Sequence, residues 1–251
     1  MMHGRLARAL WAMAAIAWTI LPSARAPAQD DASDAVLDAA PPEQRGDLLM
    51  ARHAWVEAEY AYSQAPATAV LWNKRGIAWH HLLAIGAARS DYQKALQLRP
   101  DFADAINNLG ATYFAVGRYK KALSYYFRAL RLAPGSAVIT ANVGTAYFAM
   151  GKMAQGAKAY RAAYVLDPDV FDLDKQQIVQ GPSTDSERAR LDLCLAEIFA
   201  SSNDVERAIE YLRRAASTGH LDEKRLMQAP AFASLRATPQ FAEFQTEPGV
   251  E

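Results

Sequence analysis

One cysteine, Cys194, is all that the 251 residues contain, so no disulfide can form within the chain and stability must come from packing. Charge of one sign is missing as well: 27 basic residues face 27 acidic ones. That balance argues against nucleic acid or an anionic membrane surface as the main partner. The chain has no G-x-S-x-G elbow, no phosphate-cradling glycine loop and no H-E-x-x-H zinc motif. It reads as a protein without catalytic function, metal or cofactor. What it has is apolar content: 51% hydrophobic against 22% charged residues, the balance of a folded chain rather than a disordered one.

The first residues stand apart. Arg5 and Arg8 precede a 13-residue apolar run from Ala9 to Leu21, and Ala26-Pro27-Ala28 follows as a small-residue site. Basic, apolar and A-x-A elements in that order form a secretory signal, so residues 1–28 are expected to be removed after Ala28. The run falls short of the ~20 residues that span a bilayer. Retention as an uncleaved anchor is the alternative. No cysteine near the site could accept a lipid. Removal takes three arginines (Arg5, Arg8 and Arg25) and no acid, leaving a net charge of −3. Export without disulfides favours a bacterial periplasm over a eukaryotic extracellular space, and no stable membrane insertion is expected after cleavage.

The body of the chain is written with a period. Pro100, Pro134 and Pro168 stand at equal intervals, and a glycine precedes each at one fixed distance: Gly76, Gly110 and Gly144. Tyr92, Tyr126 and Tyr160 recur in step, as do Ala95, Ala129 and Ala163. A fixed period of this length marks stacked repeats. Each unit holds two apolar stretches of helical spacing, broken at Gly117 and Gly151. A glycine inside a helix costs about 1 kcal/mol against alanine, a cost that a close helix–helix contact offsets. Each proline stops a helix and orients the next.

These residues resemble the tetratricopeptide repeat, an antiparallel pair of helices of about 34 residues, most strongly over residues 69–170. The resemblance implies an all-α, right-handed solenoid. Its expected parts are a linker at 29–46, a degenerate capping half-repeat at 47–68 and regular repeats at 69–102, 103–136 and 137–170. A connecting loop at 171–186, a degenerate fourth repeat at 187–219 and a C-terminal segment at 220–251 follow. The first regular unit lacks a glycine in its inter-helix turn, since Gly86 comes three residues late. The last segment repeats Pro-x-Phe at Pro230/Phe232 and Pro239/Phe241. It is similar to the end-of-group segment that closes some bacterial arrays, where a terminal repeat would otherwise expose its apolar face.

Reactive constellations are few. Cys194 is flanked by leucines at helical spacing, which suits a buried small hydrophobe. His80 and His81 are adjacent on a helix, so their side chains diverge by about 100° and cannot chelate one metal. Asp167, Asp169, Asp172 and Asp174 have the density of a calcium loop, but Phe171 takes the third ligand slot. Helix capping is the simpler role for them.

In the resembled family the first helix of each pair lines the concave surface. Three columns fall there: Asn73 and Asn107; Lys74, Asn108 and Asn142; and His80, Phe114 and Phe148. An amide both donates to and accepts from a peptide backbone, and an aromatic covers apolar side chains. The resemblance implies a partial asparagine ladder holding an extended peptide or a partner helix, interrupted by Lys74. The competing reading binds the asparagines to neighbouring helices and packs the phenylalanines between units. The expected function is a periplasmic adaptor in envelope assembly or secretion. The rival is a self-associating, homo-oligomeric protein whose groove holds its own residues 30–42 or a second copy.

Overall fold

The computed structural model describes residues 36–37, 39–172 and 184–247. The signal segment 1–28, and Asp174 with the centre of the connecting loop, lie outside the described residues. One compact unit begins at Pro41, and its described residues hold helices and no strand. The helices are α1 (Pro42–Ala51), α2 (Trp55–Ser63), α3 (Ala69–His81), α4 (Ile85–Leu98), α5 (Ala103–Ala115), α6 (Tyr119–Leu132), α7 (Ala137–Ala149) and α8 (Met153–Leu166). After the connecting loop come α9 (Asp185–Ser201), α10 (Val205–Ser217), a short α11 (Glu223–Gln228), two 3₁₀ turns and α12 (Pro239–Gln245). Each helix packs mainly on its sequence neighbours, pair after pair.

The sequence dictates the joints. Leu98, Leu132 and Leu166 end the second helices two residues before the periodic prolines. The hydroxyls of Thr68 and Ser136 accept from the backbone N–H of Leu71 and Ile139, satisfying donors that the first turns of α3 and α7 leave open. Within each pair the turn places one residue in the left-handed region: His53, Leu83, Gly117, Gly151 and Asn203, with φ between 58° and 72°. The residue that follows closes the helix by donating its N–H five residues back, at 2.9–3.0 Å, from Ala54 to Leu49, Ala84 to Trp79, Arg118 to Tyr113, Lys152 to Tyr147 and Asp204 to Phe199. The first regular repeat therefore keeps the common turn without a glycine. Leu83 takes the strained place, and Gly86 lies inside α4.

The periodic glycines and tyrosines are one device. A Cβ on Gly76 would come within 2.6 Å of the Tyr92 ring, and one on Gly110 within 2.8 Å of Tyr126. Gly144 would likewise overlap Tyr160. The tyrosine rings are buried at 0–2% exposure, so they fill the space the missing side chain vacates. Gly46 meets Tyr62 in the same way. Residues 42–63 are thus a complete helix pair, in place of the expected linker followed by a half-repeat. The Gly-to-Tyr spacing is the same in all four pairs, but α2 stops one residue after Tyr62 while α4 runs on for six after Tyr92. The unit is shorter by four residues, and the shortening falls at the end of α2, beyond the Gly–Tyr contact. In α9 and α10 the equivalent small and large residues are Ala196 and Leu212, both fully buried.

At the C-terminal end Phe232, Leu235, Phe241 and Phe244 are buried at 0–2% exposure and share one apolar core with α9 and α10. Arg225 reaches back to Glu197 with two bonds of 2.7 and 2.8 Å. Arg236 ties the Leu226 and Ala229 carbonyls at 3.1 and 3.2 Å.

Candidate partner-binding surface

First helices touch first helices. Besides the packing within pairs, α3 contacts α5, α5 contacts α7 and α7 contacts α9, so these four helices make an inner layer and their partners an outer one. The predicted asparagine columns lie on the inner layer, and the structure joins them into a relay. Asn142 Nδ2 donates to Asn107 Oδ1 at 3.0 Å, and Asn108 Nδ2 donates to Asn73 Oδ1 at the same distance. Asn107 Nδ2 donates to Asn108 Oδ1 at 3.2 Å and links the two rungs. Asn73, Asn107 and Asn142 are buried, and Asn108 alone is half-exposed. A buried amide without partners would cost about 1–3 kcal/mol, so the relay is what permits three amides under cover. The column of Asn73 and Asn107 has alanine, Ala141, at its next position.

The flanking residues have other employments. Lys74 Nζ is clamped between Glu43 Oε1 at 2.9 Å and Asp47 Oδ2 at 2.8 Å, both on α1. The acids that fix it belong to the pair that the regular period does not reveal. Phe114 is buried, 5.1 Å from the Tyr119 ring, and Phe148 is buried edge-on to Tyr160 at 5.0 Å with Gly156 against its face. Both rings lie in the apolar packing of their own pairs. His80 is half-buried, and burial with the neighbouring His81 lowers its pKa, so it is a neutral imidazole at pH 7. His81 points elsewhere, stacked on Trp55 at 4.1 Å with the planes 8° apart.

Cys194 is 1% exposed, and burial pushes its thiol up to about 12, which removes the thiolate a nucleophile needs. Asp167 Oδ1 accepts from the Asp169 N–H at 2.9 Å, and Phe171 is buried against Tyr160. The described part of the acidic run therefore shapes a turn. Among the described residues no three His, Cys, Asp or Glu side chains converge as a metal site, and no helix is long and apolar enough to cross a membrane.

Asn108 keeps hydrogen-bonding capacity that the relay does not use. One of its two N–H donors and one of its two acceptor lone pairs are spent in the relay. The relay fixes the orientation of the remaining pair at a half-exposed position.

Residues 103–136 match the family model of the Tetratricopeptide repeat, and residues 85–117 match that of the TPR repeat. No curated protein matches the chain. Among solved structures it is similar to TTC0263, a thermophilic TPR protein of Thermus thermophilus, with 18% identity over 81% of this chain and 96% of that one and a TM-score of 0.50. It is also similar to MamA, with 19% identity over 72% and 96% and a TM-score of 0.45. The first TPR of Spaghetti (RPAP3) bound to an HSP90 peptide shares 24% identity over 44% and 90% with a TM-score of 0.41. At such identities the likeness is one of fold.

Proposed function

We propose that this chain of tetratricopeptide repeats is an exported protein-interaction scaffold that holds an extended peptide along its inner, first-helix layer. The observation that carries the reading is the oriented amide of Asn108, with one N–H and one lone pair unspent at a half-exposed position. An extended backbone presents one carbonyl and one N–H to such an amide. The first helices of the three regular repeats, α3, α5 and α7, packed about 9 Å apart and each about 10 Å wide, make a floor of about 28 Å within that layer. At ~3.3 Å per residue that floor accommodates about eight residues of ligand. The basic–apolar–A-x-A order of residues 1–28 supports a periplasmic address, and envelope assembly or secretion are the processes that address favours.

The test begins with a crosslinked pull-down of the mature protein from its native periplasm and measures the affinity of the captured peptide. Two net backbone bonds are worth about 1–3 kcal/mol together, so Asn108→Ala is expected to weaken binding by about 5- to 150-fold. Wild-type affinity in Asn108→Ala would move the ligand off the inner layer. The N-terminus of the mature chain is expected at Gln29, in the soluble periplasmic fraction. Full-length protein in the inner membrane would replace the soluble adaptor with an anchored one.

A further inference from the structure

The overall charge balance conceals an uneven distribution. Between Asp104 and Asp167 the sequence has no carboxylate, yet it carries eight lysines and arginines. None of the eight is in an ion pair among the described residues. Elsewhere the basic side chains of the inner layer and of the last helices mostly do have acids: Lys74 with Glu43 and Asp47, Arg75 with Asp91, Arg207 with Asp204, Arg225 with Glu197.

Half of these cations share one face. On α6 the outward strip is Lys120, Ser124, Phe127 and Arg131, four positions at helical spacing and all exposed. One repeat later α8 presents Ala154, Lys158, Arg161 and Val165, again all exposed. Each rung of the two strips pairs one cation with one uncharged residue: Lys120 with Ala154, Lys158 with Ser124, Arg161 with Phe127 and Arg131 with Val165. Phe127 is 42% and Val165 80% exposed, large apolar groups left open beside charge. The face is bounded on both sides. The same register on α4 reads Gly86, Ser90, Gln93 and Gln97, without charge, and on α10 it reads Glu206, Glu210, Arg213 and Ser217, with Arg213 already bound to Glu247 at 2.7 Å.

We propose that the outward face of α6 and α8 is a second docking surface, and that its occupant is an acidic, amphipathic segment of a protein partner. Charge complementarity selects carboxylates, and the exposed Phe127 and Val165 select apolar side chains between them. An extended polyanion gains from charge alone, and here it would run onto Glu206 and Glu210 one pair further on. The surface lies on the layer opposite to Asn108, so it stands whether or not the inner layer binds a peptide.

The probe is a fluorescein-labelled helical peptide of Glu, Ala and Leu spanning Lys120 to Arg131, about 16 Å. Its control is the same peptide with Gln for every Glu. The full mature protein is expected to bind the acidic peptide in a salt-sensitive manner and the control at least about tenfold more weakly. Lys158→Glu/Arg161→Glu is expected to lose about tenfold or more in affinity with unchanged melting, since both side chains are exposed. Lys120→Gln/Arg131→Gln, which removes charge without reversing it, is expected to lose less. Phe127→Ser should weaken the acidic peptide at high salt, and Asn108→Ala should leave it unaffected. Equal binding of the two peptides, or wild-type affinity in the reversal variant, would overturn the surface. Tighter binding of duplex DNA or of phosphatidylglycerol vesicles than of the peptide would overturn the partner class.

Discussion

Asn142 donates to Asn107 across 3.0 Å with both side chains buried, joining α7 to α5 from inside. Removing one partner of such a bond strands the other in a place water does not reach. Asn142→Ala is therefore expected to cost about 1–3 kcal/mol of stability, and Asn108→Ala less, because its half-exposed site lets water replace the lost amide. Denaturant titration of the two variants beside the wild type checks the order. Equal losses would mean that the relay does not distinguish buried rungs from the exposed one.

The repeat is legible where its spacing is rigid. Pro100, Pro134 and Pro168 with Gly76, Gly110 and Gly144 define three pairs, and the structure contains all three. The pair α1/α2 escapes the period because four residues are missing after Tyr62, although Gly46 and Tyr62 keep the spacing of the regular pairs. The asparagine columns are legible as columns, but their bonds run between residues 35 apart, one off the period of the repeat. A reading aligned on the period pairs Asn108 with Asn142 and misses the diagonal. Phe114 and Phe148 show the same limit: helical spacing does not distinguish a ring facing a groove from one tucked under its own second helix. The outer basic strips stay hidden in a net charge that sums over the whole chain.

Two glycines of neighbouring helices are expected to part company on substitution. Gly76→Ala would press a methyl into the Tyr92 ring at 2.6 Å and should cost about 1–3 kcal/mol as overpacking. Gly86, inside α4 with nothing within 4 Å of its added Cβ, should gain about 0.5–1 kcal/mol as alanine. Melting of the two single variants measured together settles the contrast.

Leu83 sits at φ 58° and is 65% exposed, in the turn place that two other repeats fill with glycine. The left-handed conformation costs a side-chain-bearing residue about 1–2 kcal/mol, and an exposed leucine recovers little of it by burial. Leu83→Gly is expected to stabilise the protein by about 1 kcal/mol, and Leu83→Asn by a similar or smaller amount. A fall in melting temperature for both would show that the leucine side chain does more than the turn needs.

Asp192 is 1% exposed, and neither of its carboxylate oxygens accepts a hydrogen bond among the described residues, although Arg214 Nη2 lies 3.2 Å away. Burial raises the carboxyl to about 6, against the opposing pull of Arg214 and Arg188. An exposed aspartate titrates near ~3.9. The fold therefore draws most from this group where it is protonated, below about pH 4, and loses that increment as pH rises through about 6. Asp192→Asn should flatten the difference in stability between pH 4.5 and 7.5, by about 1–3 kcal/mol relative to wild type. His80 and His81, whose pKa values are lowered by burial, push the other way, since acid charges them in the fold. Comparing variant with wild type at each pH cancels their contribution.

The amide relay links α3, α5 and α7, and further polar ties brace the next junction. There Arg207 holds the Pro168 carbonyl at 2.7 Å and Tyr211 holds that of Phe171 at 2.8 Å, both reaching from α10 in the outer layer. A stack in which each unit touches only its neighbours behaves as a row of springs in series. Prying the first helices apart therefore strains amides from α3 to α7, and prying α10 away from the end of α8 strains the Arg207 and Tyr211 bonds. A load that opens the outer side would find the joint after α8 braced from α10.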